Sequence, residues 1–257
     1  MPVIRKMLAA LTGYNRPFAS LKDAEAAIAG YEGDGHSNLA CAINLIRTME
    51  EATASDYAAL FYLQPVLPSL RTIFDFGGSI GNLFYCYAKY LDFPADLIWT
   101  VFDVPENVDF GEKFARDRGE QRLRFTACLG DGDGVDLFLA TGALHYFETP
   151  LPDIISEFQK KPRYVLVNRS PMADGRPFAT VQDGGVYRVA CMLHNRDALI
   201  RKFDDAGYEI LGNWRAAERS LIIPFYPDRS VHAYSGMFFR LRSEQKTAAK
   251  EKTSPCF

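Results

Sequence analysis

The segment TIFDFGGSIGNL, residues 72–83, joins an apolar run to a glycine-rich turn and then to a helical pattern. Loops at the carboxyl ends of parallel strands line the crevice in which such sheets bind ligands. Gly77 and Gly78 let the backbone turn sharply and approach a ligand without a Cβ collision, and the following helix offers its first amides. The segment therefore predicts a ligand-binding loop, although a turn that only packs a helix against its strand has the same pattern.

The glycine spacing narrows the class of ligand. A dinucleotide fingerprint counted from Gly77 needs glycine where this chain has Ser79 and Asn82, and no G-K-[ST] follows to complete a Walker loop. Gly77 and Gly81 instead form G-x-x-x-G, with Asp75 two residues earlier. This arrangement resembles the first motif of class I methyltransferases, an acidic residue followed by G-x-G-x-G, with serine in place of the middle glycine.

Two further acidic residues follow later apolar runs and could hold a nucleoside. Asp103 lies roughly 20 residues after Gly81, where a carboxylate can accept both ribose hydroxyls. Its alternative role is to cap the helix that Pro105 starts. Asp131, in CLGDGDG, stands where a polar residue could contact an adenine amino group, and Asp133 is equally available.

The elements that position these residues follow a β-α-β pattern from residue 71 onward. Short apolar runs end at Gly or Asp and alternate with helical stretches, which predicts a parallel sheet. The predicted strands are Thr72 to Phe76, Leu97 to Asp103, Leu123 to Cys128, Val135 to Ala140 and Tyr164 to Asn168. The predicted helices between them are Asn82 to Tyr90, Glu106 to Arg118 and Leu151 to Gln159.

The two ends of the chain have different patterns. Helices are expected from Leu21 to Ala29, after Ser20, and from Asn38 to Leu70. After residue 168 we expect a loop rich in Pro and Gly, a helix from Arg196 to Ala206, and a closing antiparallel pair, Tyr208 to Trp214 and Tyr234 to Leu241. The predicted organisation is a helical N-terminal cap over residues 1–70, a Rossmann-like α/β domain over 71–242 and a polar, mobile tail over 243–257.

Composition excludes several classes of function. A formal net charge of -3 and a pI near 5.9 argue against a broad nucleic-acid surface. No run approaches the roughly 20 apolar residues of a membrane span, and no signal sequence is evident, so a cytoplasmic location is expected. The 5 cysteines and 4 histidines have no ligand spacing, which predicts neither a disulfide framework nor a metal site. Nothing in the sequence indicates an oligomeric state.

With DFGGSIG in place, the chain resembles a group of class I S-adenosylmethionine-dependent methyltransferases, mainly bacterial, that share DFGGSxG. The similarity runs from about Tyr14 to Arg242 and includes WTVFDVPENVDFG, LATGALHYFETPLPDI, YVLVNRSPM and TVQ. It implies a Rossmann-like methyltransferase fold with S-adenosylmethionine as cofactor. The substrate of the group is not established, and its association with surface-polysaccharide genes is a hint of a sugar acceptor. The group commonly has Glu where this chain has Asp103 and Asp where it has Asn168, so a carboxylate is missing at the second position.

Methyl transfer is an in-line displacement, so the protein mainly has to align the reacting atoms and exclude water. His145, after the fourth strand, is the candidate base for a hydroxyl acceptor, and packing is its alternative role. Tyr146 could line the acceptor pocket, Arg169 could clamp an anionic group or form a surface salt bridge, and Gln182 is a further candidate contact. The loop reads T-G-A-L-H-Y and lacks the [DNS]-P-P-[YF] of enzymes that methylate nucleic-acid bases.

The leading hypothesis from the sequence is therefore a methyltransferase that acts on a small polar acceptor. A non-catalytic relative with the same scaffold would have the same motifs. A nicotinamide-dependent oxidoreductase is disfavoured by Ser79 and Asn82.

Overall fold

The apolar runs after residue 71 form strands because sheets that helices cover on both faces bury nearly every side chain of their central strands. The structure, a computed structural model, describes residues 12–30, 49–184 and 188–242. The expected N-terminal residues 1–11, the start of the expected helix at 38–48 and the expected tail lie outside the described residues. The strands are β1 Thr72–Phe76, β2 Ile98–Phe102, β3 Leu123–Thr126, β4 Leu137–Thr141, β5 Tyr164–Ser170, β6 Phe178–Asp183, β7 Arg188–Leu193, β8 Tyr208–Ala216 and β9 Tyr234–Leu241.

Seven of these strands form one sheet in the order β3-β2-β1-β4-β5-β9-β8. Strands β1 to β5 pair in parallel, and β9 and β8 complete the sheet in antiparallel pairing. The predicted Rossmann-like sheet with a closing antiparallel pair is confirmed. The chain moves outward from β1 through β2 to β3 and then returns to place β4 on the other side of β1. The strand order therefore reverses between β1 and β4, and open sheets of this kind bind ligands at the strand ends next to such a reversal.

Two apolar layers pack on the two faces of the sheet. On β1, Ile73 belongs to the layer that contains Trp99, while Phe74 and Phe76 belong to the layer that contains Phe138. Asp75 has the same parity as Ile73 and is fully buried next to Trp99. A carboxylate at the end of a central strand is therefore inserted between an aromatic layer and the loop that follows.

The helices match the helical patterns of the central region, with small differences at their ends. They are α1 Leu21–Ala26, α2 Ala54–Leu63, α3 Asn82–Tyr87, α4 Pro105–Asp117, α5 Leu151–Ser156 and α6 Arg196–Asp205. The prediction of one continuous helix from 38 to 70 was wrong, because Glu51 to Thr53 are not helical. Thr53 is the N-cap of α2, and its amide donates to Asp56 Oδ2 at 2.9 Å.

The loop predicted between residue 168 and α6 was also wrong in part, because β6 and β7 form an antiparallel hairpin within it. The N-terminal segment extends this hairpin through isolated bridges of Tyr14 with Gln182 and of Phe18 with Ala179. Helix α1 packs against the same two strands. The beginning of the described chain thus lies over residues from its second half, above the carboxyl ends of the sheet strands.

Within the described ranges, no helix is both long enough and apolar enough to cross a lipid bilayer. The expected cytoplasmic location, the division of the chain at residue 70 and the mobile tail stay predictions.

The antiparallel edge of the sheet provides a stability test. A Cβ at Gly236 would lie 2.1 Å from the Trp214 ring, which stacks on Tyr62 and donates its indole N–H to Asn168. The ring can move away only by losing the stacking and the hydrogen bond, so we expect Gly236→Ala to lower the free energy of unfolding by about 1 to 3 kcal/mol. Urea unfolding measures the change. In the control Gly175→Ala the new methyl group meets no atom within 4 Å, and equal losses in the two variants would contradict the packing argument.

Candidate cofactor and acceptor site

The loop after β1 turns at Gly77, which has a φ of +69°. A Cβ there would lie 2.5 Å from the Cβ of Ala143, in the turn after β4. At Gly78 a Cβ would lie 2.5 Å from the carboxylate of Asp75. Only glycine fits at these two positions, because one lies against the β4 turn and the other against the buried acid. The glycines therefore allow close packing around the loop, the alternative role considered from the sequence. They also keep backbone amides at the end of β1.

Ser79 has a φ of +54°, a left-handed conformation that a non-glycine residue adopts at a cost. Its amide donates to Asp103 Oδ2 at 2.7 Å, which ties the loop to the end of β2. Gly81 is the N-cap of α3. The position where a class I motif usually has glycine thus keeps a glycine-like backbone, and the serine departure changes the side chain but not the path of the loop.

Asp103 combines the two roles that the sequence left open. Its Oδ1 accepts hydrogen bonds from the Val104 amide at 2.9 Å and from Asn107 Nδ2 at 2.8 Å, at the start of α4. Its Oδ2 holds Ser79. A carboxylate has about four acceptor positions, so capping does not exhaust it, and the ribose contact of Asp103 stays a prediction.

Asp75 lies beneath the loop and is completely buried. Its Oδ2 accepts the indole N–H of Trp99 at 3.1 Å. Burial raises the pKa of Asp75 from 3.8 to about 7, and the hydrogen bond from Trp99 opposes this rise. Two smaller effects follow: the charge of Asp103 raises the pKa and the charge of Arg169 lowers it. The cofactor contact that the first motif implies for Asp75 stays a prediction.

Three buried polar atoms near the crevice have no hydrogen-bond partner among the described residues. They are Asp75 Oδ1, Ser79 Oγ and Thr141 Oγ1, on the β1 strand, its loop and the end of β4. Buried polar atoms are almost always paired in folded proteins. Unsatisfied atoms on both sides of the point where the strand order reverses are what a site for a polar ligand requires.

The two acidic residues after β3 have different surroundings. Asp133 accepts the amides of Gln159 at 2.8 Å and Lys160 at 2.9 Å, so it joins the start of β4 to the end of α5. Asp131 is exposed and accepts the hydroxyl of Thr126 at 2.6 Å. Asp133 therefore has a structural role, because both of its oxygens accept backbone amides. Asp131 is the better candidate for the adenine contact, which stays a prediction.

The short 3₁₀ turn Leu144–Tyr146 carries the acceptor candidates. His145 is buried, and its ring centroid lies 4.1 Å from that of Tyr146 and 6.5 Å from that of Tyr234. The Tyr146 hydroxyl donates to Gln182 Oε1 at 3.1 Å. The structure thus brings His145, Tyr146 and Gln182 into one group, and their catalytic and substrate-binding roles stay predictions.

Two tyrosines that the sequence did not single out complete this group. The hydroxyls of Tyr14 and Tyr234 share a 2.8 Å hydrogen bond although the residues are 220 positions apart. Burial raises the pKa of Tyr14, and its neighbours Tyr234, Cys191 and Tyr146 raise it further. No local pattern in the sequence could have paired them, since the contact depends on the hairpin and on the N-terminal segment lying over it.

Arg169 belongs to a buried ion pair and not to a salt bridge on the surface. Its Nη1 donates to Asp56 Oδ2 at 2.7 Å and to Thr53 Oγ1 at 3.2 Å. The two side chains of this ion pair are only 14% and 3% exposed. The surface alternative was therefore wrong, and the substrate contact of Arg169 stays a prediction.

Asn168, where the resembling group has Asp, is fully buried and structural. Its Oδ1 accepts the indole N–H of Trp214 at 2.9 Å. Its Nδ2 lies 3.4 Å from both the Ser55 carbonyl and Asp56 Oδ1. An amide suits this position because it donates on one side and accepts on the other.

No protein-family model matches the sequence, and no curated protein matches it. Among solved structures, geranyl diphosphate C-methyltransferase from Streptomyces coelicolor A3(2) is 17% identical over 73% of this chain and 81% of that chain, with a TM-score of 0.50. The 1,6-didemethyltoxoflavin-N1-methyltransferase of Burkholderia thailandensis is 19% identical over 74% and 79%, with a TM-score of 0.48. This chain has the fold of class I methyltransferases. Likeness at this level of identity concerns the fold alone, and the resemblance to the DFGGSxG group stays a prediction.

The buried Asp75 predicts a specific pH dependence of stability. Because its pKa is raised from 3.8 to about 7, the folded protein keeps a proton between these values that the unfolded chain releases, so stability falls as pH rises through this window. The Asp75→Asn protein lacks this loss. Relative to wild type it should therefore gain up to about 4 kcal/mol between pH 4 and pH 8, at 1.36 kcal/mol per pKa unit.

Urea unfolding of both proteins at several pH values measures this difference, and acids common to the two proteins cancel. A difference in stability that does not change with pH would show that Asp75 is ionised in the folded state throughout.

Proposed function

We propose that this chain is an S-adenosylmethionine-dependent methyltransferase that acts on a small polar acceptor. The observation that carries the proposal is the loop at the point where the strand order reverses, which is left-handed at Ser79 and hydrogen-bonded to Asp103, together with the unsatisfied polar atoms of Asp75, Ser79 and Thr141. The fold supports it, since the Streptomyces enzyme of similar fold was solved with S-adenosyl-L-homocysteine bound.

The cofactor residues follow from this geometry. The amides of the loop from Gly77 to Gly81 would hold the nucleoside, Asp103 would accept the ribose hydroxyls, and Asp131 would face the adenine. The bound cofactor would supply a methyl group on a sulfonium. Asp75, whose Oδ1 has no hydrogen-bond partner among the described residues, would contact the cofactor from beneath the loop.

The acceptor residues lie around the turn after β4. Tyr146, oriented by Gln182, would position the acceptor, and His145 would take the proton from an acceptor hydroxyl on a ring nitrogen as the new bond forms. The β6–β7 hairpin and the N-terminal segment would exclude water from this side. We propose a sugar hydroxyl, or one of a related metabolite, as the acceptor, on the resemblance to the DFGGSxG group.

Two other functions would use the same fold. A non-catalytic binding protein would bind the nucleoside but form no methylated product. A nicotinamide-dependent oxidoreductase would need glycine where this chain has Ser79 and Asn82, because glycine lets the backbone approach the pyrophosphate of the dinucleotide and lets the helix pack closely on the strand. The acidic pI disfavours nucleic acid as the acceptor.

Titration calorimetry with S-adenosylmethionine tests the cofactor. We expect binding to wild type, and about 10- to 100-fold weaker binding to Asp103→Ala, which loses hydrogen bonds to a charged group worth about 1.5 to 3 kcal/mol. Asp109→Ala removes the same charge from an exposed position on α4 and should bind like wild type. If NADH binds and the sulfonium does not, the oxidoreductase alternative gains and the proposal fails.

Acceptor screening with release of S-adenosylhomocysteine as the readout tests His145. With an acceptor hydroxyl, His145→Ala should lower kcat by about 100-fold or more, because general base catalysis contributes 10² to 10⁴. Cofactor affinity should not change. A packing role for His145 would instead lower thermal stability and affect binding and turnover together.

A further inference from the structure

Asp56 is the centre of a buried hydrogen-bond network below the crevice. Its Oδ1 accepts the hydroxyl of Tyr87 at 2.9 Å, and its Oδ2 accepts the Thr53 amide, the Thr53 hydroxyl and Arg169 Nη1, at 2.9, 2.7 and 2.7 Å. These donors belong to α2, α3 and the end of β5. A single carboxylate therefore links α2 to α3, the helix that follows the glycine loop, and to the end of β5.

Arg169 is only half used in this network. Both hydrogen bonds that it donates come from Nη1. Its Nε and Nη2 donate to no residue in the described part of the chain, although the side chain is 14% exposed. The guanidinium is thus held rigidly by one edge while its remaining N–H groups stay available, which is the fork geometry that binds a carboxylate.

The backbone at Arg169 is also unusual. Its φ is +50°, and the register of β5 with β9 shifts between Val167 and Ser170. A left-handed arginine and a buried ion pair both cost stability that an apolar pair would not cost. Such costs are typical of a side chain that is aimed at a ligand.

The surrounding charges indicate what the ligand must carry. Arg169 is close enough to lower the pKa of Asp75, and Asp103 is close enough to raise it. Arg169 therefore has one acid, Asp56, in its ion pair and a second, Asp75, within electrostatic reach. A simple anion would meet repulsion there, whereas a group that has a carboxylate and an ammonium on one carbon satisfies both signs.

We propose that Arg169, aimed by Asp56, binds the carboxylate of the amino-acid end of the cofactor. This inference rests on the proposed function and assigns Arg169 to the cofactor instead of to the acceptor. Asp56 is then a positioning residue, and α2 is part of the cofactor site.

The test compares binding of S-adenosylmethionine with binding of its decarboxylated analogue, which lacks only the carboxylate. Wild type should prefer the complete cofactor by about 10- to 100-fold, the range of hydrogen bonds to a charged group. Arg169→Met with Asp56→Asn removes both charges and leaves no unpaired buried carboxylate. This double variant should bind the two ligands within about threefold of each other and should keep wild-type affinity for the analogue.

The analogue serves as an internal control, because its binding shows that the crevice is folded. Arg163→Met removes a charge next to the opposite end of β5 and should keep the wild-type preference. Asp56→Asn alone should lower affinity for the complete cofactor and leave affinity for the analogue unchanged.

Each result decides between the two claims. If wild type binds both ligands equally, or if the double variant keeps the preference, the assignment of Arg169 is overturned while the proposed function stands. If wild type binds neither ligand, the proposed function itself fails.

Discussion

The close approach of two turns controls the architecture of this protein. The loop after β1 and the turn after β4 can touch only because Gly77 has no side chain, since a Cβ there would lie 2.5 Å from Ala143. That contact joins the loop after β1 to the turn after β4 at the point where the strand order reverses. It also places His145, two residues after Ala143, at a fixed distance from the loop amides, so that one steric constraint couples the predicted cofactor loop to the predicted acceptor side.

Most of the fold was predictable because each strand and helix has its own local pattern in the sequence. Short apolar runs ending at Gly or Asp predicted β1 and β9 with their observed bounds and the other sheet strands within a few residues. The hairpin of β6 and β7 was missed, since Pro and Gly around it suggested a loop although Phe178 to Val181 are buried. The continuous helix before residue 70 failed for the opposite reason, because helical spacing does not reveal the N-cap at Thr53.

The candidate site was predictable only where it is local in the chain. The loop residues, Asp103 and the turn at His145 follow directly from strand ends. The partner of Arg169, the choice between Asp131 and Asp133, and the pairing of Tyr14 with Tyr234 depend on contacts between distant segments. Sequence patterns show which residue types are present along the chain. A buried ion pair, or a hydrogen bond between two tyrosine hydroxyls, forms only when the fold brings distant residues together.

The bridge between Tyr14 and Tyr234 has a consequence for how the protein is made. During synthesis the N-terminal segment emerges first, yet both its strand partners in β6 and the phenol that it pairs with are translated much later. Contacts of such long sequence separation form slowly because a large loop must close. The parallel strands β1 to β5 can assemble on the ribosome, while the contacts of Tyr14 and Tyr234 near His145 form only after residue 234 has left the exit tunnel.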